Sequence, residues 1–165
     1  MNASIYPMAQ SNSMPASLAQ CIRTYLSDVE WSHEESARKN WIRFKARIML
    51  DHATVTTMIR CQEETRQLSV YTHAPLYIPA EVCQEIIAFV TRANYRTPAS
   101  IEFDPNQGRI KFCVDAALPD SDPSLSFIGQ MVQLNHDALD CFMPGILRIC
   151  FGGISAIEAW SEIGT

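Results

Sequence analysis

The sequence predicts an α+β fold, an antiparallel sheet of about five strands flanked by helices in the order α-β-β-β-α-β-β-α-α. Three observations carry that expectation. Apolar residues recur at spacings of three and four in the segments that open near residues 15, 79 and 122. They alternate with polar residues in five runs between Ile42 and Val114. Short turns join successive runs, which suits a meander and a hairpin rather than parallel strands.

Residues 1–14 are rich in Ser, Asn, Gln and Met without a sustained period and read as a tail ahead of one domain over 15–165. Pro15 suits a first helical position, and Leu18, Cys21, Ile22, Tyr25, Leu26 and Val29 follow at helical spacing. A polar link through His33, Glu34, Glu35, Arg38 and Lys39 leads to the first strand, where Ile42, Phe44, Ala46, Ile48 and Leu50 alternate with Arg43, Lys45, Arg47 and Met49. Val55, Thr57, Ile59 and Cys61 mark a second strand, and Leu68, Val70 and Thr72 a third, with a polar turn over Glu63 to Arg66.

Pro79 opens a second helix carrying Val82, Ile86, Phe89, Val90 and Ala93, which ends between Asn94 and Pro98 because the residue before a proline avoids helical geometry. Ile101 and Phe103, the turn Asp104-Pro105-Asn106-Gln107-Gly108, then Ile110, Phe112 and Val114 make a hairpin. Asp122 as cap and Pro123 as first residue start a third helix, which Pro144-Gly145 is expected to break. Gly152-Gly153 ends the short piece after it, and Ser155 with Glu158 forms a capping box for a last helix with Ile157, Trp160 and Ile163.

At 165 residues the chain can bury roughly 70% of its unfolded surface, so the core needs no staples. The net charge of −5 works against non-specific attraction to phosphate backbones or anionic lipid and makes nucleic acid a poor default partner. No apolar stretch reaches the ~20 residues of a membrane helix. No Lys or Arg precedes Arg23 and no apolar run there could centre a secretory signal, so the expected location is the cytoplasm. The six cysteines, Cys21, Cys61, Cys83, Cys113, Cys141 and Cys150, include no Cys-x-x-Cys pair and read as reduced thiols, with three disulfides as the alternative.

The search for reactive chemistry returns no catalytic, cofactor or metal residue. His33-Glu34-Glu35 resembles the start of a zinc-protease helix, but Ala37 stands where the second His is required. His52, His73 and His136 fall in different elements, and Asp137 and Asp140 beside His136 lack a second pair of ligands. Gly152-Gly153 has neither a lysine nor a strand-to-helix turn to make an anion site. No nucleophile elbow surrounds any Ser or Cys.

The basic segment stands apart. Arg38, Lys39, Arg43, Lys45 and Arg47 fall within ten positions, and the last three share the outward face of one strand beside Trp41. Trp and Arg are enriched at interfaces, so Trp41, Arg43, Lys45 and Arg47 are the candidate partner-binding residues. The plainer expectation is a solvated face paired across strands with Glu63, Glu64 or Glu102.

The stretches Val82 to Asn94, the hairpin from Ala99 to Phe112, Leu139-Asp-Cys-Phe-Met-Pro-Gly-Ile, and the closing Gly-Gly-Ile-Ser-Ala-Ile-Glu-Ala resemble the YbjN family of proposed bacterial sensory-transduction regulators. The resemblance implies a fold similar to type III secretion chaperones, with a curved antiparallel sheet flanked by helices, frequent dimerisation and no cofactor. It transfers no functional residue to this chain.

The expected function is therefore a non-enzymatic cytoplasmic regulator or chaperone-like homodimer that binds a partner polypeptide on apolar sheet or helix surface. Two alternatives stay open: a nucleic-acid binder using Arg43, Lys45 and Arg47, and a small thiol enzyme or hydrolase using Cys61, Cys113 or Cys141.

Overall fold

A computed structural model describes residues 17–50, 53–119 and 121–163. The tail 1–14, Pro15 and His52 lie outside them. Helix α1 (Leu18–Asp28) is followed by strands β1 (His33–Arg38), β2 (Trp41–Met49), β3 (Thr54–Gln62) and β4 (Gln67–His73). A 3-10 turn (Ala80–Val82) leads into α2 (Cys83–Ala93), then β5 (Ser100–Asp104), β6 (Arg109–Ala117), α3 (Leu125–Gly152) and α4 (Ala156–Ile163). The six strands form one antiparallel sheet in the order β1-β2-β3-β4-β6-β5. Among the described residues, no helix is long and apolar enough to cross a membrane.

The four described α-helices pack on one face of that sheet. Strand alternation sends Phe44, Ile59, Val70 and Val114 to the covered face, and the register sets them side by side. α1 and the first half of α3, through Leu18, Ile22, Ile128 and Val132, bury the β2–β4 end. α2, α4 and the second half of α3 bury the β5–β6 end through Phe89, Ala159, Phe142 and Ile146. α3 is thus the spine that joins the two halves of the core, and Val114 touches both.

The sheet has six strands where about five were expected, because the polar link 33–39 is itself β1. All its residues but Ser36 are exposed. An edge strand outside the cover of the helices has no apolar phase to show, and its charges discourage pairing with other chains. Glu35 on its inner side takes two hydrogen bonds from Arg23 of α1, at 2.6 and 3.0 Å.

Helix α3 departs from expectation twice. Ser124 rather than Asp122 is its N-cap, its Oγ accepting from Phe127 N at 3.0 Å, while Asp122 takes Arg66 at 2.7 Å. The helix also runs unbroken through Pro144-Gly145 to Gly152. Pro144 is exposed, so one backbone hydrogen bond is lost on the wet side. Gly145 is held by contact on the other side: a Cβ there would lie 2.5 Å from Phe89 Cζ and 2.7 Å from Ile163 Cδ1. Gly153, in the left-handed region at φ 65°, ends the helix as expected. The Ser155–Glu158 capping box forms, with Ser155 N donating to Glu158 Oε2 at 2.8 Å.

Candidate interaction face of the sheet

Among the described residues, no helix lies on the second face of the sheet. One row across it reads Ser36, Arg43, Arg60, Ser69 and Asp115, from β1 through β6. The next reads Glu34, Lys45, Met58, Tyr71, Cys113 and Ser100. Beyond it, Arg47 sits opposite Thr56, and His73 opposite Lys111, which pairs with Glu102 at 2.7 Å.

Tyr71 is the centre of this face. The Arg60 guanidinium lies 5.9 Å and the Lys111 ammonium 5.8 Å from its ring centroid, and His73 meets it edge-on at 5.9 Å. At the β2 end, Arg43 stacks on Trp41 at 5.3 Å. Burial, together with the Lys111 and Arg109 charges, holds His73 below the ordinary histidine range.

The charges on this face are unevenly answered. Arg43 and Arg60 are directly opposed across β2 and β3, a like-charge pair that sheets disfavour. Arg43 Nε is buried without a hydrogen-bond partner. Lys45 reaches Glu34 at 3.4 Å, not the expected Glu63, Glu64 or Glu102. Glu63 is engaged elsewhere: it accepts from Ser17 Oγ, Leu18 N and Ala19 N at 2.7 to 3.0 Å and so holds the start of α1. Among the described residues, neither Arg47 nor Arg60 has an ion-pair partner. Lys45 and Arg47 also line a groove of about 460 Å³ with Ser32, His33, Glu34, Thr54 and Thr56. Three of the four expected interface residues, Arg43, Lys45 and Arg47, thus share the open face, and Trp41 supports Arg43 from the strand end. Arg60, Tyr71 and Lys111 complete the patch and were missed, because each stands alone in its own strand and only pairing brings them together.

A second polar cluster lies inside the covered face. His136 Nε2 and Thr57 Oγ1 are 2.7 Å apart, Thr57 and Thr72 hydroxyls 3.1 Å, and Thr72 donates to Asn135 Oδ1 at 2.6 Å. Asn135 Nδ2 donates to Phe112 O at 2.9 Å. The His136 ring stacks on Trp31 at 6.1 Å, and burial holds its pKa below the ordinary value. Every polar member has a partner, which suits a structural tie between α3 and the sheet. Its signal was present: Thr57 and Thr72 at inward strand phases and Asn135-His136 at inward helix phases.

The remaining candidates stay apart. His33 meets Phe44 at 5.8 Å, Asp137 accepts from Gln133 at 2.6 Å, and no group of three metal-type ligands occurs among the described residues. All six cysteines are free; Cys61 and Cys113 are buried and Cys141 is exposed. Burial pushes the Cys61 and Cys113 thiols up to about 12, with Asp115 adding to the effect at Cys113, and it raises Cys141 as well. A thiol nucleophile needs a shift the other way.

No protein-family model matches the chain, and no curated protein matches it. Solved structures do, among them two of similar fold. An uncharacterised protein from Methanothermobacter thermautotrophicus superposes with a TM-score of 0.60 at 12% identity, over 81% of this chain and 99% of the other. YbjN from E. coli, a protein proposed to be a transcription regulator, superposes with a TM-score of 0.55 at 11% identity, over 73% of this chain and 84% of its own. At such identities the likeness is one of fold, and the fold is YbjN-like.

Proposed function

With a YbjN-like fold as the premise, we propose that this chain is a non-enzymatic regulatory protein that docks an acidic stretch of a partner polypeptide on the open face of its sheet. The observation that carries the reading is the opposed pair Arg43 and Arg60, flanked by Lys45, Arg47 and Lys111 around Tyr71, in a chain whose net charge is −5. Like charges held side by side cost stability until an anionic group settles between them. Tyr71 and Trp41 offer apolar area beside those cations, a combination found at interface anchors. Raised thiol pKa values and dispersed histidines support a binding role over catalysis. Six free thiols suit the cytoplasm.

A polypeptide is favoured over nucleic acid because Glu34, Glu102 and Asp115 stand among the cations and would repel a continuous phosphate backbone. That YbjN, a structural neighbour, is proposed to regulate transcription keeps nucleic acid, bound through Arg43, Lys45 and Arg47, as the second reading.

Fluorescence anisotropy with a synthetic Glu-rich peptide tests the proposal. Wild type is expected to bind it, and R43S/R60S to bind it roughly tenfold or more weakly. No binding by wild type, or equal binding by the variant, overturns it. If single-stranded DNA binds instead, with a salt slope that drops by about one for each cation removed, the second reading replaces the first.

A further inference from the structure

Helix α3 has another seam, on the side turned away from the sheet. Leu134, Cys141 and Arg148 fall seven residues apart, as do Asp137, Pro144 and Phe151, and the two series interleave at steps of three and four. With 3.6 residues per turn, these six side chains occupy an arc of about 100°. All six are exposed, Leu134 at 38% and Phe151 at 72% of full accessibility. Four of the six, Leu134, Cys141, Pro144 and Phe151, carry apolar or weakly polar side chains, and such residues at steps of three and four suit lengthwise packing against another helix, with Asp137 and Arg148 as a charged pair between them.

The order of chemistry along the seam reads the same from both ends once the charges are complemented. Reversing the helix about the point between Phe142 and Met143 lays Leu134 on Phe151, Asp137 on Arg148, and Cys141 on Pro144. A two-fold contact between identical chains has this requirement, since residue i must suit residue j while j suits i. A parallel arrangement would set Asp137 on Asp137 and Arg148 on Arg148, so charge selects the antiparallel one. The small Cys141 and Pro144 at the centre leave room for close approach.

We propose that a second copy of this chain docks antiparallel on this seam, with the two-fold axis beside Cys141 and Pro144. Arg148 Nη2 lies 3.0 Å from Glu162 Oε1 in its own chain, both side chains being about half exposed. In the dimer it lies between that carboxylate and Asp137 of the second copy. Asp137 keeps one oxygen for Gln133 Nε2, 2.6 Å away, and offers the other across the axis. The seam lies on the helix layer, opposite the open sheet face, so the dimer leaves both acidic-segment sites free.

A charge-swap cycle read by sedimentation velocity decides the matter. Wild type is expected to be a dimer at micromolar concentration. D137R sets Arg against Arg at both symmetric positions, and R148D sets Asp against Asp, so each alone is expected to weaken the dimer by roughly tenfold or more. Mixing the two variants pairs a chain bearing two Arg with a chain bearing two Asp and restores a heterodimer; D137R/R148D restores a homodimer. A monomeric wild type, a dimer that survives in both single variants, or a mixture of folded variants that stays monomeric overturns the proposal. Circular dichroism checks that each variant folds, and Phe151→Asp, at an exposed site, provides an independent break if R148D disturbs α4 through Glu162. Glu-rich peptide binding by folded D137R is expected to equal that of wild type, which separates this test from that of the open face.

Discussion

On β2, Phe44 is fully buried beneath α1, while Arg43 and Lys45 on either side of it face away from every helix. The same alternation runs through the sheet: Phe112 is fully buried under α3, whereas Lys111 next to it lies over the Tyr71 ring. The two faces are built from the same strands, one residue out of phase, yet one is held together by apolar area and the other collects cations, of which Arg47 and Arg60 have no ion-pair partner among the described residues while Lys45 and Lys111 are paired with Glu34 and Glu102. Stability should therefore reside in the covered face and recognition in the open one.

The largest effect should come from breaking the covered face. Phe112→Ala removes a fully buried ring from the junction of β6, α3 and the Asn135 side chain, and should cost about 3–5 kcal/mol in urea unfolding. Overpacking that side should cost less. Gly145→Ala pushes a methyl into Phe89 and Ile163, and about 1–3 kcal/mol is expected from the same measurement.

The buried polar cluster sharpens the comparison through pH. Burial lowers the pKa of folded His136 relative to the ordinary value near 6.5. The unfolded chain then takes up more protons as pH falls below that value, so stability is full above about 6.5 and declines as pH falls toward the folded pKa. H136Q should flatten the decline in thermal melts from pH 7.5 to 5.5. His73, shifted in the same direction by burial and by Lys111 and Arg109, should keep a residual slope.

The smallest effect on stability belongs to the open face. Arg60→Ser removes one half of the like-charge pair with Arg43 and should move unfolding by no more than about 0.5 kcal/mol, with a slight gain the expected sign. If R60S instead destabilises as much as Gly145→Ala, the contrast between the faces fails.

Alternation along single strands was legible without coordinates, which is why Arg43, Lys45 and Arg47 were assigned to one outward face. The polar edge strand β1 was not, because a strand whose partner covers only its backbone needs no apolar phase. The unbroken α3 was not legible either. Pro144 ordinarily stops a helix, and only the tight fit of Gly145 against Phe89 and the solvent exposure of Pro144 explain why it continues.

What the sequence by itself determined is local: the class of fold, the hairpins and meander, the capping box at Ser155, and which residues of each strand turn inward. These follow from periods of two and 3.6 and from turn chemistry within a few residues. Tertiary structure alone decided which strands became neighbours, and hence that Arg43 faces Arg60, that Tyr71 sits between Arg60 and Lys111, and that His136 closes onto Thr57. Each of those contacts joins residues from separate elements, so it arises only when burial of one face of the sheet has chosen the order of the strands.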